Sequence, residues 1–166
     1  MSAAGYQLRE LHRETPEVHV AAVCVREPQP GRFEVLVYRR SDARELAPGL
    51  LEGCGGQLAA GERFAEAAAR HLRYEAGIDA EAPGVPIDEP VVLHVFYEIP
   101  LTGGGVIPGI RFLMLARHDA EPSSSFASWL PADELQRQPA ARFVPGFQAD
   151  VARLLQRWGR VRGTYR

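Results

Sequence analysis

The stretch ERFAEAAARHLRYEAG, residues 62–77, restricts the fold more than any other part of the chain. It is rich in alanine, the best helix former, and it closes on a glycine that stops a helix. The spacing predicts a helix whose core-facing stripe is Ala65, Ala68 and Leu72, with Phe64 nearby. Glu66 and Arg70 stand at i, i+4 in the order that favours an ion pair. Short β-branched runs lie on both sides of this helix, so it must pack on a sheet.

VHVAAVCV, residues 18–25, is short and β-branched, as a strand buried on both faces should be. EPQPG reads as a turn, and FEVLVYRR, residues 33–40, as the second arm of a hairpin. SDARELAPGLLEGCGG reads as a loop broken at Pro48 and Gly49, and DAEAPGVPIDEP as a polar, proline-rich connection. VVLHVFYEIP (91–100) and IRFLMLAR (110–117) are two more strands. Gly103, Gly104 and Gly105 form the hairpin tip between them; with no GxxxxGK[ST] pattern and no helix start, they are not a phosphate loop. FASWLPADEL gives a short strand running into a turn or short helix at Pro131. In residues 145–160, Phe147, Val151, Leu154, Leu155 and Trp158 share one face of an amphipathic helix. The order strands, helix, strands, helix predicts an α/β (α+β) fold with helices on both faces of a central sheet. The 166 residues suit a single domain, 1–166, with residues 1–16 as an N-terminal extension.

A formal net charge of −2 gives no global field toward nucleic acid or anionic lipid, so neither is an expected partner. The chain has no Lys and no Asn, whose codons are A-rich, which points to a GC-rich bacterial genome. Cys24 and Cys54 are the only cysteines and read as buried thiols in a reducing compartment. MSAAGYQLRELHRE has no apolar core of a secretory signal, and no apolar run nears the ~20 residues of a membrane span. The expectation is a cytoplasmic protein.

Five residues separate Gly56 from Glu62, and seven separate Glu62 from Arg70; His71, Leu72, Arg73, Tyr74, Glu75, Ala76, Gly77 and Ile78 follow. This resembles the Nudix box, in which glycine, glutamate and arginine keep that spacing ahead of Glu-apolar-x-Glu-Glu-x-Gly-apolar. Pro48-Gly49-Leu50 and Trp129-Leu130-Pro131 with Asp133-Glu134-Leu135 fit the same resemblance. It covers residues 18 to 158 and implies a Nudix-like α/β/α sandwich with a central mixed sheet and flanking helices. Gly56, Glu62, Arg70 and Gly77 are then the structural frame, with Glu62 and Arg70 tying the loop to the helix.

The resemblance implies cleavage of nucleoside diphosphate derivatives with Mg²⁺ or Mn²⁺. Mg²⁺ takes oxygen ligands in an octahedron, which a helix supplies with carboxylates at i, i+3 and i+4. Here those positions hold His71, Tyr74 and Glu75, one carboxylate in three. Imidazole is a poor Mg²⁺ ligand and a phenol stays protonated near neutral pH. The loop SSSFAS, where relatives carry a further acid, has none. Glu75, the backbone carbonyl of Gly55 and Glu52 remain as metal candidates, and Glu75, His71 and Tyr74 as catalytic ones.

Arginine binds phosphate bidentately without a metal, so Arg39, Arg40, Arg44 and Arg73 are candidates for an anionic ligand, against a solvated role. His19 and His94 read as packed or edge histidines. One of Tyr97 and Glu98 faces inward, and Trp129 serves either a base or the core. Three readings follow. The first is a divergent Nudix-fold protein that binds a phosphorylated small molecule with Mg²⁺-dependent hydrolysis weakened or lost. The second is an active phosphoanhydride hydrolase, and the third a cleft reused for acid–base chemistry by His71 or Tyr74. A homodimer is open.

Overall fold

The structure is a computed structural model that describes residues 17–83 and 93–164. In chain order the elements are β1 (His19–Gln29), β2 (Arg32–Arg39), β3 (Leu51–Glu52), β4 (Gly55–Gln57), α1 (Phe64–Ala76), β5 (Ala80–Glu81), β6 (His94–Pro100), β7 (Val106–Ala116), β8 (Ala127–Pro131), α2 (Ala132–Arg137), a 3-10 turn (Ala140–Arg142) and α3 (Phe147–Thr164). Among the described residues the strands form one eight-stranded mixed sheet. β1 and β7 lie parallel at its centre, with Val20 opposite Ile110, and every other pairing is antiparallel.

Alternation along the central strands sorts the core into two layers. Val20, Ala22, Cys24, Leu36, Phe112 and Met114 point to one face, where Ala67, Ala68, Leu72 and Ala76 of α1 cover them. Val23, Val25, Val35, Val37 and Leu113 point to the other, under Leu135 of α2 and Phe147, Val151 and Leu154 of α3. Helices therefore flank both faces of a central mixed sheet, as the pattern of elements predicts.

One edge of β1 changes partner along its length. β2 pairs with its C-terminal half at Val25, and β4 with its N-terminal end at Ala21. The chain crosses between them at Gly53, where a Cβ would lie 2.1 Å from the Ala22 carbonyl oxygen, so only glycine fits. The Ala22 N–H is answered across the gap by the Cys54 carbonyl at 2.8 Å. This crossing carries Glu52, Cys54 and Gly55 to the sheet beside α1.

Several local expectations change. The first strand runs on through EPQ to Gln29, and the turn is at Pro30–Gly31. The segment read as a loop, 41–56, contains β3 and the start of β4, strands too short to show a period. In α1 the buried stripe is Ala67, Ala68, Leu72 and Ala76; Ala65 is half-buried and Phe64 is 44% exposed. Arg70 does not pair with Glu66, which instead accepts the Arg63 N–H at 3.0 Å and caps the helix. Residues 1–16 and part of the 79–90 connection lie outside the described residues, as do Val91 and Val92.

Candidate functional site

The loop before α1 is fastened to the helix by one ion pair. The Glu62 carboxylate accepts from Arg70 Nε at 2.7 Å, from Arg70 Nη2 at 2.8 Å and from the Ala59 N–H at 3.0 Å. Arg70 Nη2 also donates to the Gln57 carbonyl at 3.0 Å. These bonds hold the Glu62 carboxyl well below its usual range, at about 2, with the Arg70 hydrogen bond the largest cause. α1 ends at Gly77, whose φ of 68° is left-handed and whose N–H closes on Arg73 O.

Past that fastening, α1 presents Glu75 to the strand crossing. Glu75 Oε2 accepts the Gly55 N–H at 2.8 Å. Burial pushes its carboxyl up to about 7, and the nearby Glu52 adds to the rise, against the Gly55 hydrogen bond, the Arg44 charge and the Cys54 thiol. Glu52 is also raised by burial, although Arg40 Nη1 donates to it at 2.5 Å. Burial and then Glu75 push the Cys54 thiol up, so it stays protonated. Tyr38, opposite Glu52 in the β2–β3 ladder, is shifted up by burial and by Glu75. The result is a half-buried pair of carboxylates, with Arg40 bound to Glu52 and the charge of the exposed Arg44 acting on both.

Residues 15–151 match the NUDIX domain family. The chain belongs to the Nudix family. Among solved structures it is similar to the Nudix hydrolase RenU of M. smegmatis, with TM-score 0.63 and 21% identity over 87% of this chain and 88% of that one. A MutT protein of Methanosarcina mazei Go1 gives TM-score 0.63 at 19% identity over 85% and 94%. A C. elegans Ap4A hydrolase gives 0.59 at 18% over 87% and 96%. At these identities the likeness shows the fold alone. No curated protein sequence matches the chain significantly.

Nudix hydrolases generally use divalent metal ions, so the residues of this Nudix protein can be tested for fit. His71 directs Nε2 at the Gln57 carbonyl, 3.0 Å away, and its ring occupies the place of a side chain at Gly56, where a Cβ would lie 2.4 Å from Cε1. Tyr74 is 88% exposed and has no hydrogen-bond partner among the described residues. Gly55 meets Glu75 through its N–H, so that contact supplies no metal ligand. Among the described residues no three His, Cys, Asp or Glu side chains come together as a metal group. Of the two carboxylates present, Glu52 is paired with Arg40 and Glu75 is raised toward neutrality by burial, which weakens the negative field a divalent cation needs. This donor set does not fit a cradle for several ions.

The four arginines named from sequence separate. Arg40 is held by Glu52 and by the Leu46 carbonyl, and Arg39 pairs with Asp42 at 2.8 Å. Arg73 pairs with Asp79 at 2.8 Å on the exposed side of α1. Arg44 alone of the four has no side-chain partner among the described residues, and its charge acts on both Glu52 and Glu75.

The sequence reading missed a second polar group under α3. Arg111 is 3% exposed and donates to Asp150, itself buried. The Arg111 guanidinium lies 3.7 Å above the Tyr97 ring, and the Tyr97 hydroxyl meets His19 Nδ1. Burial first, then the Arg111 charge, lower the His19 pKa to about 4. Gly109 makes room: it sits between His19 and Tyr97 in the ladders, and a Cβ there would fall 2.4 Å from Tyr97 Cζ. Of Tyr97 and Glu98, Tyr97 is therefore the inward one. Trp129 is spent structurally, donating to the Ala120 carbonyl at 2.8 Å beneath Arg26. An arginine inside the apolar run IRFLML, with an aspartate on the apolar face of α3, was the available signal.

Proposed function

We propose that this Nudix-fold chain binds a phosphorylated small molecule, a nucleoside-diphosphate-linked compound being the natural class, with Mg²⁺-dependent hydrolysis weakened or lost. The observation that carries this reading is the charge balance around Glu75. A phosphoanhydride under attack needs cations that neutralise its charge and lower the pKa of the attacking water. The helix offers a single carboxylate for them, already engaged by a backbone N–H and raised toward neutrality. Arg44 supports the binding half of the proposal, since it supplies a guanidinium beside Glu52 and Glu75 with no side-chain partner among the described residues.

The second reading, an active hydrolase, is favoured by the solved neighbours, several of which are titled hydrolases. One comparison separates the two. Release of phosphate or nucleoside monophosphate is measured from a panel of nucleoside diphosphate compounds, with Mg²⁺ or Mn²⁺, for the native chain and for the double substitution His71→Glu, Tyr74→Glu. The native chain is expected near background while the double substitution gains metal affinity. Native turnover of about 1 s⁻¹ or faster, the low end of ordinary enzymes, refutes the binding-only reading.

A further inference from the structure

The β6–β7 hairpin outruns the sheet that carries it. β1 begins at His19, opposite Gly109 of β7, and Gly109 stands opposite Tyr97 of β6. Tyr97, fixed by Arg111 and His19, is the last anchor. Beyond it, among the described residues, β6 and β7 pair only with each other. Glu98 faces Pro108, Ile99 faces Ile107 and Pro100 faces Val106, and the Leu101 N–H closes on the Gly105 carbonyl at 3.1 Å. A two-stranded ribbon has little stability of its own in water, so this overhang bends at small cost. Its tip is Gly103, Gly104 and Gly105, all left-handed, with nothing within 4 Å of the place of a Cβ.

The overhang leans toward the Glu52–Glu75 cleft. β2 and β7 lie on opposite sides of β1, and β6 lies beyond β7. β2 ends at Arg39 and hands the chain to the loop that carries Arg44. The Thr102 hydroxyl nonetheless reaches that loop, donating to Glu45 Oε1 at 3.5 Å. The hairpin therefore crosses the start of β1 and its partner β4, the end of the sheet where Gly55 meets Glu75. A bond of that length between exposed groups is weak, so it marks a resting place and not a lock. Ile99 and Leu101 share one face of the ribbon with Ile107, which opposes Ile99. The isoleucines are half-buried and Leu101 is 41% exposed, which leaves apolar surface still to be covered.

We propose that residues 98–108 form a strap that closes over a phosphorylated ligand held by Arg44, with the Thr102–Glu45 contact as its touchdown point. The strap presupposes the binding reading of Arg44 given above. Glu45 follows Arg44 directly, so a tip resting on Glu45 stands at the mouth of the site. The ribbon turns about Tyr97 and Gly109, where support from β1 ends. A glycine tip carries no side chains and lets its backbone come close to a ligand. Ile99, Leu101 and Ile107 offer the apolar cover for the organic part, while the phosphate takes the guanidinium. Closure excludes water from that ion pair and strengthens it. The strap thus governs entry and release.

Amide hydrogen exchange of the native chain, with and without ADP and in the absence of metal, tests the closure. ADP is expected to slow exchange in residues 101–105 together with the 41–50 loop. Slowing in 41–50 alone overturns the strap and leaves the binding reading standing; no binding of ADP overturns both. Gating is tested with the double substitution Thr102→Cys, Glu45→Cys, joined by a short bis-maleimide. Both positions are exposed, and Cys24 and Cys54 are each 1% exposed and do not compete. Joined before ADP is added, the chain is expected to take it up about tenfold more slowly; joined afterwards, it is expected to release it about tenfold more slowly. Each single substitution treated with the same reagent is the control. Uptake and release unchanged by joining in either order overturn the strap.

Discussion

Two polar groups lie on opposite faces of the same sheet and solve burial differently. Under α3, Arg111, Asp150, Tyr97 and His19 form a closed set in which Arg111 and Asp150 are each other's counter-charge and the Tyr97 hydroxyl meets His19 Nδ1. Under α1, burial raises both Glu52 and Glu75, Glu52 adds to the rise of Glu75, and Arg44 brings a guanidinium with no side-chain partner among the described residues. A closed set has nothing left to offer a ligand. An open one keeps unspent charge, and for this reason the binding role is proposed for the α1 face although its metal ligands are sparse.

The comparison predicts that damage under α3 is paid in stability. Asp150→Ala strands Arg111 as a buried, unpaired charge and is expected to destabilise the fold by about 3–5 kcal/mol in denaturant unfolding. A loss within experimental error would show that water reaches Arg111 and that the set is not closed. Gly109→Ala, which drives a methyl into the Tyr97 ring, should cost about 1–3 kcal/mol as an overpacked site.

Under α1 the expected signature is a pH dependence. Folding raises the Glu75 pKa from 4.5 to about 7, so the folded state holds the proton more tightly. That contribution is complete below about pH 4.5 and is lost as pH rises through about 7. Relative to the native chain, Glu75→Gln should therefore gain stability across this window and level off above it. A difference between the two chains that does not vary with pH would mean that Glu75 is solvated. Glu62→Gln tests the loop fastening. Its partner Arg70 is partly exposed and the pair is screened, so the loss should stay below about 1 kcal/mol. Arg44→Ala is expected to leave stability within about 0.5 kcal/mol, as for a surface change, while weakening metal-free binding of a nucleoside diphosphate.

Much of this was legible in the sequence where one residue type has one physical use. Gly56, Glu62, Arg70 and Gly77 marked the loop–helix frame through their resemblance to the Nudix box, and β-branched runs marked the central strands. What was hidden depended on pairing across long separations. Nothing local says that Arg40 will be taken by Glu52, or that Asp150 on α3 will meet Arg111 on β7. Alternation put one of Tyr97 and Glu98 inward, but the choice depended on Gly109 leaving space in the neighbouring strand. β3 and β4 escaped notice because two or three residues carry no period.

The central claim is that the cleft around Glu75 carries too little negative charge to hold catalytic cations. Titration of the native chain with Mn²⁺, followed by the loss of its free-ion magnetic resonance signal at neutral pH, tests it most directly. The account predicts binding no tighter than millimolar, with His71→Glu, Tyr74→Glu tightening it. More than one Mn²⁺ held per native chain at micromolar concentration, and released by Glu75→Gln, would contradict it.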